Sequence, residues 1–384
     1  MSLIKEFVSL WRIRFRTPKE ERKVIFYSEH ESYISYFDGL IDALKSKHLD
    51  PFCYVTSDIK DPILTADIPG VHVFYVNRML PMFMKFVNCR VFVMTLTDLD
   101  KFHLQRSVNP VHYVYVFHAM NSTHMAYRHG AFDHYDSILC TGPYQVRELQ
   151  RDGELRSIGK RDLIEAGYSR LERIHDAWSG QRSETHASSA RTVLVAPSWA
   201  ASNVLEEHGV ELVTALRNAE FKVIVRPHPE TNKRYPELSR NLQQAFSADD
   251  GFQLEQSVRT DDSMLAADVL ITDWSGIALE YAFGTERPVL YMDVPRKVHN
   301  DRYEELGIEP FEASMRTELG IVMAPDQIDH IADFVNQLVN NRQRFRDQIV
   351  RLRSENVFNF GHSSEIGAQH ICELLSFDAQ SQSN

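Results

Sequence analysis

The sequence predicts an α/β protein built from two doubly wound, Rossmann-like domains facing a cleft. Short apolar runs rich in β-branched and aromatic residues recur from Lys23 onward and rarely alternate with polar positions, as strands of a parallel sheet covered on both faces do. Stretches of helical periodicity separate these runs. A polar, small-residue stretch, SGQRSETHASSAR, interrupts the series near the middle, and the alternation then starts again.

In the first half KVIFYS, PFCYVTS, VHVFYVN, RVFVMTLTDL, VHYVYVFHAM and SILCTGP read as strands, with a helix through ISYFDGLIDALKSK. Between VFHAMN and SILCTG no helical pattern is present, so that region is expected to be rich in loops. One helix-like stretch follows in residues 151–190. In the second half TVLVAPSW, FKVIVRPHPE, FQLEQS, DVLITDWSG and RPVLYMD read as strands. Helices are expected over Val204–Arg217, YPELSRNLQQAFS, DDSMLAA and IALEYAFG, then near Asp326–Val339, Arg342–Ser354 and Ser364–Leu375. The resulting division is an amphipathic basic segment over 1–22, a Rossmann-like domain over 23–180, a linker over 181–190, a second Rossmann-like domain over 191–360, and a C-terminal helix and tail over 361–384.

The 384 residues, 43% hydrophobic and 25% charged, suffice for two domain cores. A net charge of −11 argues against non-specific nucleic-acid binding, and no nucleic-acid partner is expected. Anionic substrates stay compatible with it, because a local cleft on an acidic protein can be positive. Cys53, Cys89, Cys140 and Cys372 form no CxxC or zinc-type spacing and read as reduced, buried thiols of a cytosolic protein. No apolar run reaches the ~18–20 residues of a membrane span, and no secretory signal is present.

The first 23 residues differ in character. Leu3, Ile4, Phe7, Leu10, Trp11 and Phe15 fall near one helical face, and seven Lys/Arg against three Glu make the segment basic. Two readings are open. Residues 1–16 lie in a membrane interface, which places a cytoplasmic protein peripherally on the inner face of the cell membrane, or the helix docks its apolar face on the protein itself.

Ligands of open α/β sheets bind beyond the carboxyl ends of strands, so function is sought there. In the second half these ends are PSW, RPHPE and TDWSG. Arg226 offers a bidentate fork to phosphate oxygens. His228 either donates to a phosphate or acts as acid or base. Ser275 and Gly276 open a helix whose unpaired N–H groups suit an anion, with Gly276 permitting close approach. Asp273 either caps that helix or orients a hydroxyl. Ser198 and Trp199 line a pocket, the indole stacking on a base, or else Trp199 belongs to the core.

In the first half His118 ends a strong strand and is the first candidate for a general base. Asn121, Ser122 and His124 follow as contacts to a second substrate, with Gly142 at another strand-end turn and Ser28, Glu29 and His30 at the first. Four histidines, 118, 124, 129 and 134, invite a metal reading, but no HExxH-like partner is present, and no metal ligands are assigned.

RPHPE, followed about 40 residues later by ADVLITDWSGIALEYAFGTERPVLYMD, resembles the C-terminal half of the CDP-glycerol glycerophosphotransferase family. That family comprises teichoic-acid primases and polymerases and related capsule enzymes. The resemblance spans roughly residues 110–295, and segment 118–147 looks more like a Gram-negative-type capsular branch. It implies a GT-B fold, CDP-glycerol or a related CDP-polyol as donor, and peripheral membrane association. It also implies that residues 23–180 form the acceptor domain and 191–360 the donor domain. By the same resemblance His228 is the Arg-x-His-Pro histidine, Asp273 to Gly276 is the turn that contacts donor phosphates, and His118 is the strand-end histidine before the acceptor loop. Three departures accompany it: Ala119 stands where the family usually has Gly, Gly276 replaces a second Ser, and a downstream Lys is not evident.

The expected reaction is transfer of glycerol phosphate, or a related polyol phosphate, to a hydroxyl of a lipid-linked or growing surface glycan, with CMP leaving. His118 would act as base, and Arg226, His228 and the Ser275–Gly276 helix start would stabilise charge. Mg2+ arriving with the donor is compatible with this reading. Two alternatives stand beside it: a nucleotide-sugar glycosyltransferase or UDP-GlcNAc 2-epimerase-like enzyme, and a non-catalytic GT-B-like envelope assembly protein.

Overall fold

The computed structural model describes residues 2–49, 51–102, 104–181, 191–199, 204–256 and 260–381. Apart from Gln181, the expected linker 181–190 lies outside the described residues, as do 382–384 of the expected tail. The chain divides into two compact units.

The first unit comprises Met1–His118, Tyr127–Arg170 and Val357–Asn384. Its described strands are β1 (Val24–Ser28), β2 (Phe52–Thr56), β3 (Val71–Tyr75), β4 (Val91–Met94), β5 (His112–Val116), β6 (Ser137–Cys140) and β7 (Asp162–Glu165). They pair in the order β3-β2-β1-β4-β5-β6-β7, and every pairing is parallel. β1 and β2 are buried at every position, which is why their sequences do not alternate. Sequence order reverses between β1 and β4, the switch point at which such sheets bind ligands. β7 escaped the sequence reading because an edge strand reading DLIE, exposed at both ends, carries little apolar signal.

The boundaries differ from those expected. From Leu171 onward the helix Ser169–Gln181 belongs to the second unit, and the chain returns to the first at Val357. The returning helix Ser363–Ser381 packs on the helix Asp38–Ser46. There Ala368 and Ile371 join Leu40, Ile41, Leu44, Phe26 and Phe52 in one core. The region between β5 and β6 contains turns and no helix, as its lack of periodicity implied. The four thiols are unpaired, and burial pushes each pKa up.

The second unit comprises Ala119–Ala126 and Leu171–Asn356. Its described strands are β8 (Thr192–Val195), β9 (Lys222–Val225), β10 (Phe252–Leu254), β11 (Val269–Thr272), β12 (Val289–Met292) and β13 (Gly320–Met323). The order is β10-β9-β8-β11-β12-β13, again wholly parallel. The switch point falls between β8 and β11. The helix Ile277–Thr285 is buried along nearly its whole length, so its sequence is apolar rather than amphipathic. No helix among the described residues is long and apolar enough to cross a membrane.

Gly167 shows how tightly the returning segment is held. It has φ of +100°, and a Cβ there would lie 2.2 Å from the Phe358 carbonyl oxygen. Gly167→Ala is therefore expected to cost about 2 kcal/mol or more of stability, combining backbone strain with displacement of the return. Urea unfolding of the variant against the parent checks this.

Candidate functional site

At the switch point of the second unit the ends of β8 and β11 are joined. The Ser198 backbone N–H donates to Asp273 Oδ1 at 2.8 Å, and Thr272 Oγ1 donates to the Ala196 carbonyl at 2.7 Å. Asp273 therefore does not cap the helix that follows it. The N-cap position is Gly276, which has no side-chain cap, and backbone donation into that first turn begins at Ala278. Asp273 is buried, and burial raises its pKa against the opposing pull of the Ser198 N–H. Its Oδ2 and the Ser198 hydroxyl are buried without a hydrogen-bond partner among the described residues. Two such atoms together at a switch point suit a bound ligand's polar groups.

Arg226 and His228 leave the adjacent strand, β9. Arg226 is buried and donates from Nη1 to Ser263 Oγ at 3.3 Å. His228 accepts from the Glu230 backbone N–H through Nδ1 at 3.1 Å and so caps the short helix Pro229–Arg234. That bond leaves Nε2–H as the imidazole's donor. Burial, followed by the nearby Lys297 ammonium, drives the His228 pKa down to about 4, so the ring is neutral at pH 7.

Lys297 is a residue that the sequence reading missed. It lies on the loop after β12 and interacts electrostatically with Asp273, and burial lowers its pKa. Its Nζ stands 5.1 Å from the Trp199 ring centroid, and Arg234 Cζ stands 4.8 Å away. Trp199 is thus a half-buried ring carrying cations, not a core residue. Strand ends taken only as far as TDWSG stop short of it, whereas the same rule applied to VPRK after β12 reaches Lys297. Trp274 is structural: its indole N–H donates to the Val294 carbonyl at 2.8 Å, and Arg316 covers the ring at 4.1 Å.

Gly276 has an ordinary helical φ of −60°, so backbone freedom does not explain it. Close approach does. A Cβ there would lie 2.8 Å from Asn121 Oδ1 and 3.4 Å from Ala119 Cβ. Asn121 holds the volume that the side chain of a second serine would take. The structure therefore brings Asn121, expected among acceptor contacts, beside the proposed phosphate turn.

Two other expected acceptor contacts are fasteners within the second unit. Ser122 donates to Glu312 from its backbone N–H at 2.8 Å and from its hydroxyl at 2.9 Å. His124 Nε2 bonds the Ile308 carbonyl at 2.9 Å, and Asn300 Nδ2 donates to the His124 carbonyl at 2.8 Å. Both residues are buried, and these bonds hold Ala119–Ala126 in place.

In the first unit His118 follows β5 in an aromatic box. Its ring stacks on Tyr33 at 5.8 Å and meets Tyr36 and Tyr127 edge-on at 6.1 and 5.9 Å. Desolvation drives its pKa down to about 4, and Nδ1 has no hydrogen-bond partner among the described residues. Gly142, buried after β6, precedes the helix Pro143–Arg156. Ser28 is also buried, and its hydroxyl donates to the His30 carbonyl at 2.7 Å. Glu29 and His30 are exposed. Histidines 118, 124, 129 and 134 do not converge: among the described residues no three His, Cys, Asp or Glu side chains are placed to hold a metal ion.

Structural comparison bears on the fold alone. S. aureus MnaA, solved with UDP, superposes with a TM-score of 0.58 at 11% identity, covering 94% of this chain and 97% of that one. A UDP-GlcNAc 2-epimerase from Methanocaldococcus jannaschii gives 0.55 at 13%, covering 92% and 99%. Its counterpart from Neisseria meningitidis gives 0.54 at 11%, also covering 92% and 99%. The two doubly wound units are those of a GT-B-like fold. No curated protein matches the sequence. The chain belongs to the CDP-glycerol:poly(glycerophosphate) glycerophosphotransferase family, whose model matches residues 9–359, and it is thereby placed among transferases.

His228 supplies a measurable pH signature. Its folded pKa, about 4, lies below the unfolded value of about 6.5. The unfolded chain therefore binds more protons between these values, and stability falls as pH drops through that window. His228→Asn retains a capping side chain and removes the titration. It is expected to flatten the pH dependence of urea unfolding, by about 1–2 kcal/mol between pH 7 and pH 4.5.

Proposed function

We propose that this protein transfers glycerol phosphate, or a related polyol phosphate, from a CDP-alcohol to a hydroxyl of a lipid-linked or growing surface glycan of the capsule or teichoic-acid kind. The supporting observation is that a chain of this family links His228, Lys297 and Asp273 electrostatically beside one switch point, with Arg226 at the end of the adjoining strand β9. The acceptor oxygen attacks the β-phosphorus, the bond from that phosphorus to the bridging oxygen breaks, and CMP leaves. Chemistry of this kind asks the protein mainly for positioning and charge stabilisation.

On this reading the second unit seats the donor diphosphate. Arg226 and Lys297 supply positive charge, His228 donates from Nε2, and the helix start at Gly276 supplies backbone N–H groups. Asp273 positions Ser198 and offers its unpartnered oxygen to a donor hydroxyl. Trp199 gives the base a ring to stack on. In the first unit His118, neutral at pH 7, takes the acceptor's proton.

Release of CMP from CDP-glycerol by the purified protein, with a new phosphodiester on the acceptor, tests the reading. Lys297→Ala and His228→Ala are each expected to lower kcat/KM about 10²–10³-fold, and His118→Ala about 10²–10⁴-fold. Full CMP release by His228→Ala would remove that residue from the site. Release of UDP, epimerisation of UDP-GlcNAc, or a thermal shift with UDP-sugars and none with CDP-alcohols would overturn the whole reading in favour of a nucleotide-sugar enzyme. No shift with any nucleotide would favour a non-catalytic assembly role.

A further inference from the structure

At the amino edge of the first sheet two histidines share one serine. Ser137 opens β6 and pairs with Val114, and His112 lies two residues before Val114 on the same face of β5. His370 comes from the helix Ser363–Ser381 that returns to this unit. His112 Nε2 lies 2.7 Å from Ser137 Oγ, and His370 Nε2 lies 2.8 Å from it. The two rings meet edge-on with centroids 6.3 Å apart. Ser137 is fully buried, and both imidazoles are half-buried. This cluster sits at the opposite end of β5 from His118 and takes no part in the chemistry proposed above.

A serine hydroxyl donates one hydrogen bond and accepts two. With both rings neutral, Ser137 donates to one Nε2 and accepts from the N–H of the other, so every group is satisfied. A proton on the first ring turns both Nε2 atoms into donors, and the buried Ser137 proton loses its acceptor. A proton on the second ring sets two cations against one oxygen. Burial lowers the pKa of both rings from the ordinary value of about 6.5. For His112, Asp136 and Asp162 oppose this and Arg106 and Arg90 add to it. For His370, the neighbouring His112 adds to it, and Asp162 and Glu373 oppose it. These charges have other partners as well: Asp136 pairs with Arg106 at 2.8 Å, and Arg90 Nε donates to the Leu374 carbonyl at 3.4 Å. From the helix side Lys47 donates to Gln369 Oε1 at 3.3 Å.

We propose that His112, Ser137 and His370 form a proton-operated clasp, which seats the helix Ser363–Ser381 while both imidazoles are neutral and releases it when they are charged. In the released state water reaches both rings, which then bind protons at their ordinary pKa. The seated state binds fewer protons below about pH 6.5, so the seat weakens as pH falls through that value. Toward the start of the helix, Ser363, Ser364 and Gly367 line a small cavity with Tyr36, Thr141 and Gly167. Tyr36 also borders the His118 ring. Release therefore removes one wall of a cavity near the candidate base, an acid-dependent control that the site residues do not themselves supply. The clasp stands whether or not the transfer reading holds.

Hydrogen exchange of the full chain, read by mass spectrometry and corrected for the intrinsic pH dependence of exchange, tests it. Between pH 7.5 and pH 5.5 the opening equilibrium of segment 363–376 is expected to rise by up to about tenfold for each imidazole. At pH 5.5 the segment is expected to exchange ahead of β1, as a unit that opens by itself. His112→Gln/His370→Gln keeps amide partners for Ser137 and removes both titrations, and is expected to abolish the rise. If the double variant fails to fold, His370→Gln alone carries the comparison, with the rise reduced by up to about tenfold. Equal protection of the parent segment at both pH values overturns the proposal. So does exchange at the rate of β1, which would mean that the helix leaves only on global unfolding, and so does an undiminished rise in the folded variants.

Discussion

The candidate site rests on one buried carboxylate. Asp273 stands where sequence order reverses in the second sheet, and burial there disfavours its charge. Among the groups that offset that cost are the Ser198 backbone N–H, which pins the end of β8 to the end of β11, the Trp274 backbone N–H, and the Lys297 ammonium delivered from beyond β12. Because Lys297 also depresses the His228 pKa, the charge states of three strand ends are coupled through this residue. Loss of the Asp273 charge would leave the half-buried Lys297 without that counter-charge. The geometry of the candidate site is thus a consequence of how the switch point neutralises its buried carboxylate.

The segment Ala119–Ala126 shows a second constraint. Its polar residues read in sequence as a cluster of substrate contacts, since hydrogen-bonding side chains directly after a strand usually face a ligand. Ser122 and His124 instead meet Glu312 and the Ile308 carbonyl about 190 and 184 residues away. Buried polar groups must be paired, and nothing local distinguishes pairing with a ligand from pairing with a distant part of the chain. Asn121 too has a neighbour far away in sequence. Its neighbour is Gly276, and the glycine reads as a missing serine until the tertiary contact shows what fills the space.

The N-terminal segment is a third case. Its periodicity correctly marked one apolar face, but periodicity does not say toward which side that face turns. The usual assumption, apolar face inward, fails because the edge of the first sheet offers backbone donors there and Glu6 and Ser9 are the matching acceptors. Local hydrogen-bond satisfaction decided the orientation.

Alternation of apolar runs and helices was sufficient, by sequence alone, to establish two parallel doubly wound units, because strands buried on both faces leave a continuous apolar signature. The strand-end rule also placed Arg226, His228, Ser198, Asp273 and Ser275 at the carboxyl edge of one sheet without a structure, since every strand of a parallel sheet ends on the same edge. Only the tertiary structure decided the strand order, and with it that β8 and β11 are neighbours at the switch point. It alone placed Lys297 against Asp273, returned the C-terminal helix to the first unit, and separated the fasteners of 119–126 from side chains available to a ligand. Those outcomes depend on pairings between residues far apart in the chain, and no local pattern encodes which distant partner satisfies a buried group.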